Sequence, residues 1–241
     1  PVLPVGAAEV EQHDKGVRIA TSAGRTLAAS WALAADGLRS PTRRRLGLEA
    51  PARGPRRYGL RRHHGIPPWS DHVEVHWGPH GEAYVTPVAD DLVGVAVLSS
   101  RRVPFDEHLA DFPQLRARLG GSVDRGTRVL GAGPLRRRTT ARASGRVLLV
   151  GDASGYVDAL TGEGISVGLA HARAAVAAVA TGRPEDYEAA WRRVTRRSTL
   201  LTSLLLHATR PAPARRGIVP LAAALPRAFR AAVGELARPL P

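Results

Sequence analysis

The sequence predicts a mixed α/β (α+β) fold, with a helix layered on a short strand, an inserted antiparallel β-sheet and a helical C-terminal segment. Three stretches carry that expectation. Residues 146–150, RVLLV, are a short continuous apolar run of the kind buried in parallel sheets, and a glycine-rich loop and an alanine-rich helical stretch follow it. Residues 71–100 alternate apolar and polar side chains between short turns. From residue 184 onward the apolar spacing is helical.

In chain order, residues 17–35 (VRIATSAGRTLAASWALAA) read as a β-hairpin. Val17 and Ile19 alternate with polar neighbours, Ser22-Ala23-Gly24 turns the chain, and Leu27 to Ala35 returns as a largely buried strand. Asp36-Gly37 ends that strand, and residues 38–48 suit a short basic helix with Pro41 in its first turn. EAPARGPRRYG, rich in Pro, Arg and Gly, reads as a crossing between domains. HVEVHW puts Val73, Val75 and Trp77 on one face of a strand and His72, Glu74 and His76 on the other. GPHG turns the chain into EAYVTPV, and Asp90-Asp91 turns it again into LVGVAVL, which completes an antiparallel meander. Residues 105–119 form a helix broken or kinked at Pro113. The helix from about Gly164 to Ala180 brings Ile165, Leu169, Ala172, Val176 and Val179 into helical register. EDYEAAWRRVTRRSTLLTSLLLHAT and IVPLAAALPRAFRAAVGELA complete the chain as two or three amphipathic helices. The domain organisation expected from this pass is 1–48 and 139–182 in one unit, 49–138 as a β-rich insert and 183–241 as helices.

Composition narrows the function classes. The formal net charge of +14 invites a nucleic-acid reading, but Lys15 is the only lysine and the other 34 basic residues are arginines in an Ala-, Gly- and Pro-rich background. A GC-rich coding sequence produces that skew in any protein. The arginines lie in short clusters such as Arg43-Arg44-Arg45 and Arg136-Arg137-Arg138, without interleaved aromatics on one helix, so no nucleic-acid partner is expected. Zero cysteines exclude disulfides, thiolate metal sites and thiol nucleophiles, and suit a reducing cytoplasm. No apolar run reaches eighteen residues and no signal-peptide pattern opens the chain, so a cytoplasmic protein is expected. The chain begins at Pro1 and contains no Met, which reads as a segment of a longer reading frame.

The chemistry concentrates in GDASGYVDALTGEGI, residues 151–165. Gly162-Glu163-Gly164 with Gly168 loosely suggests a dinucleotide fingerprint, but in that motif the glycines follow the strand at once, and here ten residues separate Gly151 from Gly162. No Gly-Lys-Ser/Thr of a phosphate loop occurs either. What the pattern offers is different. Asp152 at a strand end can accept hydrogen bonds from hydroxyls. Gly155, Gly162 and Gly164 let backbone approach a flat ligand, and the next helix presents free N–H groups and a positive dipole end. A flavin makes those demands, through its polyhydroxyl ribityl chain and a ring edge that becomes negative on reduction. A buried strand, a loop and a packing helix with no ligand satisfy the same pattern.

GDASGYVDALTGEGI closely resembles the second flavin motif of the group A flavoprotein monooxygenase and geranylgeranyl reductase superfamily, Gly-Asp-Ala-Ala-Gly followed by Pro-x-x-Gly-x-Gly-Ile. ADGLRSPTR, Ala35 to Arg43, is similar to the same superfamily's Asp-Gly-x-x-Ser-x-x-Arg motif, and EAYVTPVADDLVGVAVL looks like the strand pair over the flavin in the reductase branch. The resemblance covers about residues 15–180. It implies an incomplete FAD/NAD(P)-binding Rossmann-like domain carrying an inserted antiparallel substrate domain. It also implies FAD as cofactor, NAD(P)H as electron donor and a hydrophobic or aromatic small-molecule substrate. Carried over residue by residue, Asp152, between Gly151 and Ala153, meets the ribityl chain. Gly162, Glu163, Gly164 and Ile165 lie along the ring; Asp36 and Gly37 sit on the pyrophosphate side, with Arg43 as a charged support.

Two departures stand out. Ala159 replaces the family's proline in the loop facing the ring, and the family's Gly-x-Gly-x-x-Gly for the ADP half is absent, so the isolated chain is expected to bind FAD weakly or not at all. The halogenase branch carries Trp-x-Trp-x-Ile-Pro, which this sequence lacks. A cofactor-free remnant or binding module of the same fold is the alternative reading. His63-His64 are candidate substrate-pocket bases or, with His72 and His76, metal ligands, but no helical ligand pattern supports a metal, and exposed histidines near arginines account for them. Among the aromatics of the β-rich block, Trp69, Trp77 and Tyr84, Trp77 is expected in the core. No nucleophile elbow or triad appears, and no catalytic acid or base is nominated. The amphipathic tail can rest on a membrane surface or cover the substrate site, with packing on the body as the default.

Overall fold

A computed structural model describes residues 6–120, 127–209 and 211–236. Three antiparallel strands come first: β1 (Ala7–His13), β2 (Gly16–Thr21) and β3 (Thr26–Ala29). β4 (Ala32–Ala34), the short helix α1 (Pro41–Arg45) and β5 (Glu49–Ala50) lead to β6 (Tyr58–His64), β7 (Glu74–Trp77), β8 (Gly81–Ala89) and β9 (Leu92–Ser99). Helices α2 (Phe105–Leu109) and α3 (Pro113–Leu119) precede β10 (Leu130–Ala132), β11 (Arg138–Thr139), β12 (Ala143–Ser144) and β13 (Val147–Leu149). A 3-10 turn (Gly151–Ser154) then leads to α4 (Gly164–Ala180), α5 (Asp186–Ala208), α6 (Ala212–Ala224) and α7 (Pro226–Leu236).

The apolar run of β13 is wholly buried and pairs in parallel with β4, Leu148 opposite Leu33, while β12 runs antiparallel on its other side. Its two faces feed two clusters. Leu148 and Val150 pack against Ala175, Ala178 and Tyr187 from α4 and α5, and Leu149 packs with Leu48 and Ala153. Burial on both faces is why the run is continuous and not alternating. The strand expected at 27–35 therefore divides: 26–29 stays beside β2, and 32–34 leaves to join β13. The helix expected over 38–48 contracts to α1, with left-handed Gly47 (φ 66°) just beyond its end.

The expected meander is present as β7, β8 and β9 in a five-stranded antiparallel sheet ordered β10-β6-β9-β8-β7. One face, through Ala83, Val85, Val93, Val95 and Val97, packs on Phe105, Leu109, Phe112, Leu115 and Leu119 of the α2–α3 region. The pair α2 and α3 is the helix broken before Pro113. Strand β7 reverses the expected facing. Val73 and Val75 are exposed, whereas Glu74 turns inward to accept from the Trp69 indole and to meet Arg118. An edge strand tolerates this reversal because only one side of it is paired.

Helix α4 spans the expected residues, but its large apolar side chains are not its buried face. Ile165, Leu169 and Val176 of the periodic stripe are exposed, and the buried side is Ala170, His171, Ala175 and Ala178. Small residues let the helix lie close on β13, and at its near end Gly168 meets Gly151, where a Cβ on Gly168 would come 3.5 Å from the Gly151 Cα. The tail is three helices, and Val219, Leu221, Leu225 and Phe229 of its last part are exposed rather than packed on the body. No described helix is long and apolar enough to cross a membrane.

Candidate functional site

The end of β13 is bent by Gly151 (φ 56°) into the 3-10 turn, which places Asp152 at the strand tip. Backbone and hydroxyl bonds fix the turn. Ser154 Oγ donates to Gly151 O (2.7 Å), Thr139 Oγ1 donates to Ser154 O (2.8 Å), and Arg137 and Tyr156 exchange both backbone bonds. Gly155, at φ 131° and ψ 155°, occupies a region open essentially to glycine alone. The loop then reaches α4, whose first intrahelical bond runs from Val167 N to Glu163 O (3.0 Å). The N–H groups of Gly164, Ile165 and Ser166 thus have no helical carbonyl to donate to. The side chain of Glu163 does not cap them; it accepts from Ser198 on α5 (3.1 Å). A positive helix end is left beside the loop.

The second motif meets the first through Arg43. Its guanidinium is fully buried and donates to Leu38 O (2.8 Å), Ala153 O (3.0 Å) and Asp152 O (3.3 Å), with Glu49 3.7 Å away. Arg43 is therefore no solvated arginine but a brace joining the 36–43 loop to the 151–154 turn. Asp36, itself exposed, accepts from Thr42 N (3.0 Å) in the first turn of α1, whose N-cap is Ser40, accepting from Arg43 N (2.9 Å), and Gly37 takes a left-handed turn (φ 75°). Gly162 and Ile165 face outward.

Asp152 and Tyr156 border cavities on both sides of the loop. One, of about 320 Å³, lies against the free face of the large sheet and has an apolar wall that includes Leu38, Ala96, Leu98, Leu130 and Leu135, with Ala159 on its rim. The other, of about 270 Å³, lies against α5 and also takes in Glu163 and Gly164, so residues 152 and 163–164 share one wall. The Asp152 carboxylate has no hydrogen bond or ion pair within the described structure, while its backbone carbonyl is the part Arg43 holds. Burial pushes the Asp152 carboxyl above the usual carboxylate range, and Arg43 pulls it partly back.

Residues that the sequence did not assign to the cofactor site support the loop from two directions. Toward α5, His171 bonds Thr195 through Nε2 (2.8 Å), stacks on Trp191 (centroids 5.5 Å apart) and lies 3.4 Å from Ser154 Oγ, to which the Trp191 indole donates (2.8 Å). Burial lowers the His171 pKa to about 4, with Arg142 adding to the effect, so the ring is neutral at pH 7. The one signal of this in sequence is a lone histidine on the small-residue face of an alanine-rich helix. Toward the large sheet, Tyr84 donates to Leu160 O (2.9 Å), and Arg57 lies 3.6 Å from Asp158 while also bonding Glu82. Among the described residues no cluster of His, Asp and Glu suits a metal; His63 and His64 belong to β6, and His64 is buried, contrary to the exposed histidines expected.

No protein-family model and no curated protein matches the sequence. Solved structures share the fold. The flavin-dependent halogenase CmlS superposes with a TM-score of 0.72 at 19% identity, over 85% of this chain and 42% of that one. The halogenase PltM, in complex with phloroglucinol and FAD, gives 0.70 at 17% identity over 86% and 50%. The tetracycline destructase Tet(51) gives 0.67 at 16% identity over 96% and 65%. The chain spans about half the length of the two halogenases. At these identities the likeness is one of fold: the mixed α/β architecture of flavin-dependent enzymes.

The residues fit the isoalloxazine and ribityl half of a flavin. An acceptor without a protein partner and an unsatisfied helix N-terminus border one cavity beside a loop lacking side chains at its turns, and the same acceptor borders the apolar wall on the loop's other side. For the ADP half, the sequence offers no Gly-x-Gly-x-x-Gly.

Proposed function

We propose that this chain builds the ring-and-substrate side of an FAD-dependent oxidoreductase acting on a hydrophobic or aromatic small molecule, with NAD(P)H as the electron source. The observation that carries the reading is the unpaired Asp152 carboxylate, held at a strand tip on one wall with the start of α4 and facing an apolar cavity. Bound flavin supplies the two-electron chemistry, delivering electrons to an unsaturated substrate or to O2. The protein's part is to bind and orient. Asp152 accepts from a ribityl hydroxyl. The N–H groups at the start of α4 favour negative charge at the ring edge. The wall of Ala96, Leu98, Leu130 and Leu135 excludes water and selects an apolar substrate, and a volume of about 320 Å³ is within the range of small-molecule sites.

The test is to express the complete reading frame containing these 241 residues and to record the visible spectrum of the purified protein with and without added FAD. A yellow protein is expected, and Asp152→Ala is expected to weaken flavin retention by one charge-assisted hydrogen bond, about 1.5–3 kcal/mol or roughly 10- to 150-fold. A colourless protein that takes up no FAD refutes the enzyme reading and favours a cofactor-free module. Flavin retention that ignores Asp152→Ala shows the ring to lie elsewhere.

A further inference from the structure

Ala159 lies in the loop between β13 and α4, on the rim of the apolar cavity, and the residues on either side of it are tied to the large sheet. Asp158, before it, lies 3.6 Å from Arg57, and Arg57 is also bonded to Glu82 of β8. Leu160, after it, accepts from the phenol of Tyr84, also on β8 (2.9 Å). Glu82 and Tyr84 are two residues apart on one strand and so project from the same face, the one that also carries Ala96 and Leu98 opposite them. The carboxylates of Glu82 and Asp158 are almost wholly buried, with side chains 4% and 3% exposed, and share one guanidinium that is 15% exposed. Water therefore screens this pairing far less than it would a surface ion pair.

Further along, the loop is also held toward α5, by Thr161 Oγ1 against Thr202 Oγ1 (3.2 Å) and by Ser198 Oγ donating to Glu163 (3.1 Å). Gly162 is exposed, with nothing within 4 Å of the place a Cβ would take, and donates its N–H to Ala159 O (3.2 Å); Ala159 itself lacks the fixed φ a proline would impose. Two attachments that straddle one residue fix both its position and its tilt, whereas one would leave a hinge. Their shared origin on β8 makes the sheet that walls the cavity also the element that sets the loop's height over it.

We propose that Tyr84 and Arg57 are positioning residues that clamp the 158–160 segment to the large sheet and so set the spacing between the flavin-facing loop and the substrate wall. This rests on the flavin reading of the loop, but the clamp itself can be measured without flavin. Amide hydrogen exchange in the unliganded protein is the primary test. Tyr84→Phe removes one oxygen and is expected to speed exchange within 156–164 by roughly 3- to 10-fold, the loss of one neutral hydrogen bond, while leaving β8 and β9 protected. Arg57→Gln is expected to do the same or more, and Arg57→Lys, which keeps the charge, to recover part of the protection. If flavin binds, Tyr84→Phe is further expected to blur the vibronic structure of its visible band by admitting water to the ring. Unchanged exchange in both single variants overturns the clamp, as does a rise spread evenly over the sheet, which would mark a general structural role. Absence of flavin removes only the spectral arm and counts against the function, not against the clamp.

Discussion

Acid is expected to loosen the site through His171, whose imidazole is 1% exposed. Thr195 Oγ1 donates its own proton to Trp191 O (2.7 Å) and so must accept from His171 Nε2–H, leaving Nδ1 bare toward Ser154. A second proton, on Nδ1, would find only Ser154 Oγ, 3.4 Å away and already accepting from the Trp191 indole. Unfolded, the ring titrates near 6.5; folded, burial holds it to about 4. Because the folded value is the lower one, this stabilisation is complete above pH 6.5 and is lost as pH falls toward 4. At about 1.36 kcal/mol per tenfold change in proton affinity, the loss is roughly 2 kcal/mol by pH 5 and roughly 3 kcal/mol when complete. His171→Gln keeps a donor for Thr195 but does not titrate. Urea unfolding of both proteins at pH 7.5 and 5 isolates the residue, since the other histidines are common to the pair. The native chain is expected to lose about 2 kcal/mol more than the variant over that interval. Equal losses, or an NMR titration placing His171 near 6.5, would refute the buried neutral ring and with it the bridge from α5 to Ser154.

Two further expectations concern the turn itself. The folded Asp152 carboxyl lies above its unfolded value, so the stability present below about pH 3.9 is lost as pH rises through the folded value. Asp152→Asn is therefore expected to raise the melting temperature of the flavin-free protein at pH 7, with the gain shrinking toward pH 4, while weakening flavin retention; a variant less stable at pH 7 contradicts this. Gly155→Ala must adopt a backbone region nearly closed to side chains, at a cost of about 1–3 kcal/mol, and is expected to show that loss in denaturant midpoint; an unchanged midpoint would mean the turn relaxes freely.

The parts of this architecture that the sequence made legible are those fixed locally. The apolar run of β13, the glycine-bent turn and the helix from Gly164 to Ala180 follow one another without interruption, and the meander of β7 to β9 declares itself by its turns. What was illegible depends on partners far along the chain. Nothing near Ala32 says that it will pair with Val147, and nothing near Arg43 says that its acceptors lie 109 and 110 residues on. In helix α4 hydrophobicity does not track burial. Its largest apolar residues point outward, and alanine and glycine form the contact face because a strand and a turn must come close. In β7 the same rule failed at an edge, where Glu74 found an indole and a guanidinium.

The arginine bias that argues against nucleic acid in the sequence acquires a structural use here, and one substitution tests it. The guanidinium of Arg43 spans two loops because its two terminal nitrogens point along fixed directions: Nη1 meets the carbonyls of residues 152 and 153 while Nη2 meets that of Leu38. Lysine conserves the charge but offers one nitrogen, which can sit at one end of that span and not both. Arg43→Lys must therefore leave at least one of these carbonyls without its donor in a site closed to water. At about 1–3 kcal/mol for each unsatisfied group, with the remaining ammonium poorly compensated, a loss on the order of 3 kcal/mol is expected. Since the brace joins the two motifs, the variant is also expected to expose 36–43 and 151–155 to faster amide exchange together. A lysine variant as stable as the native chain, or one in which only a single loop loosens, would show that the two motifs are held by the sheets around them and that the guanidinium is incidental.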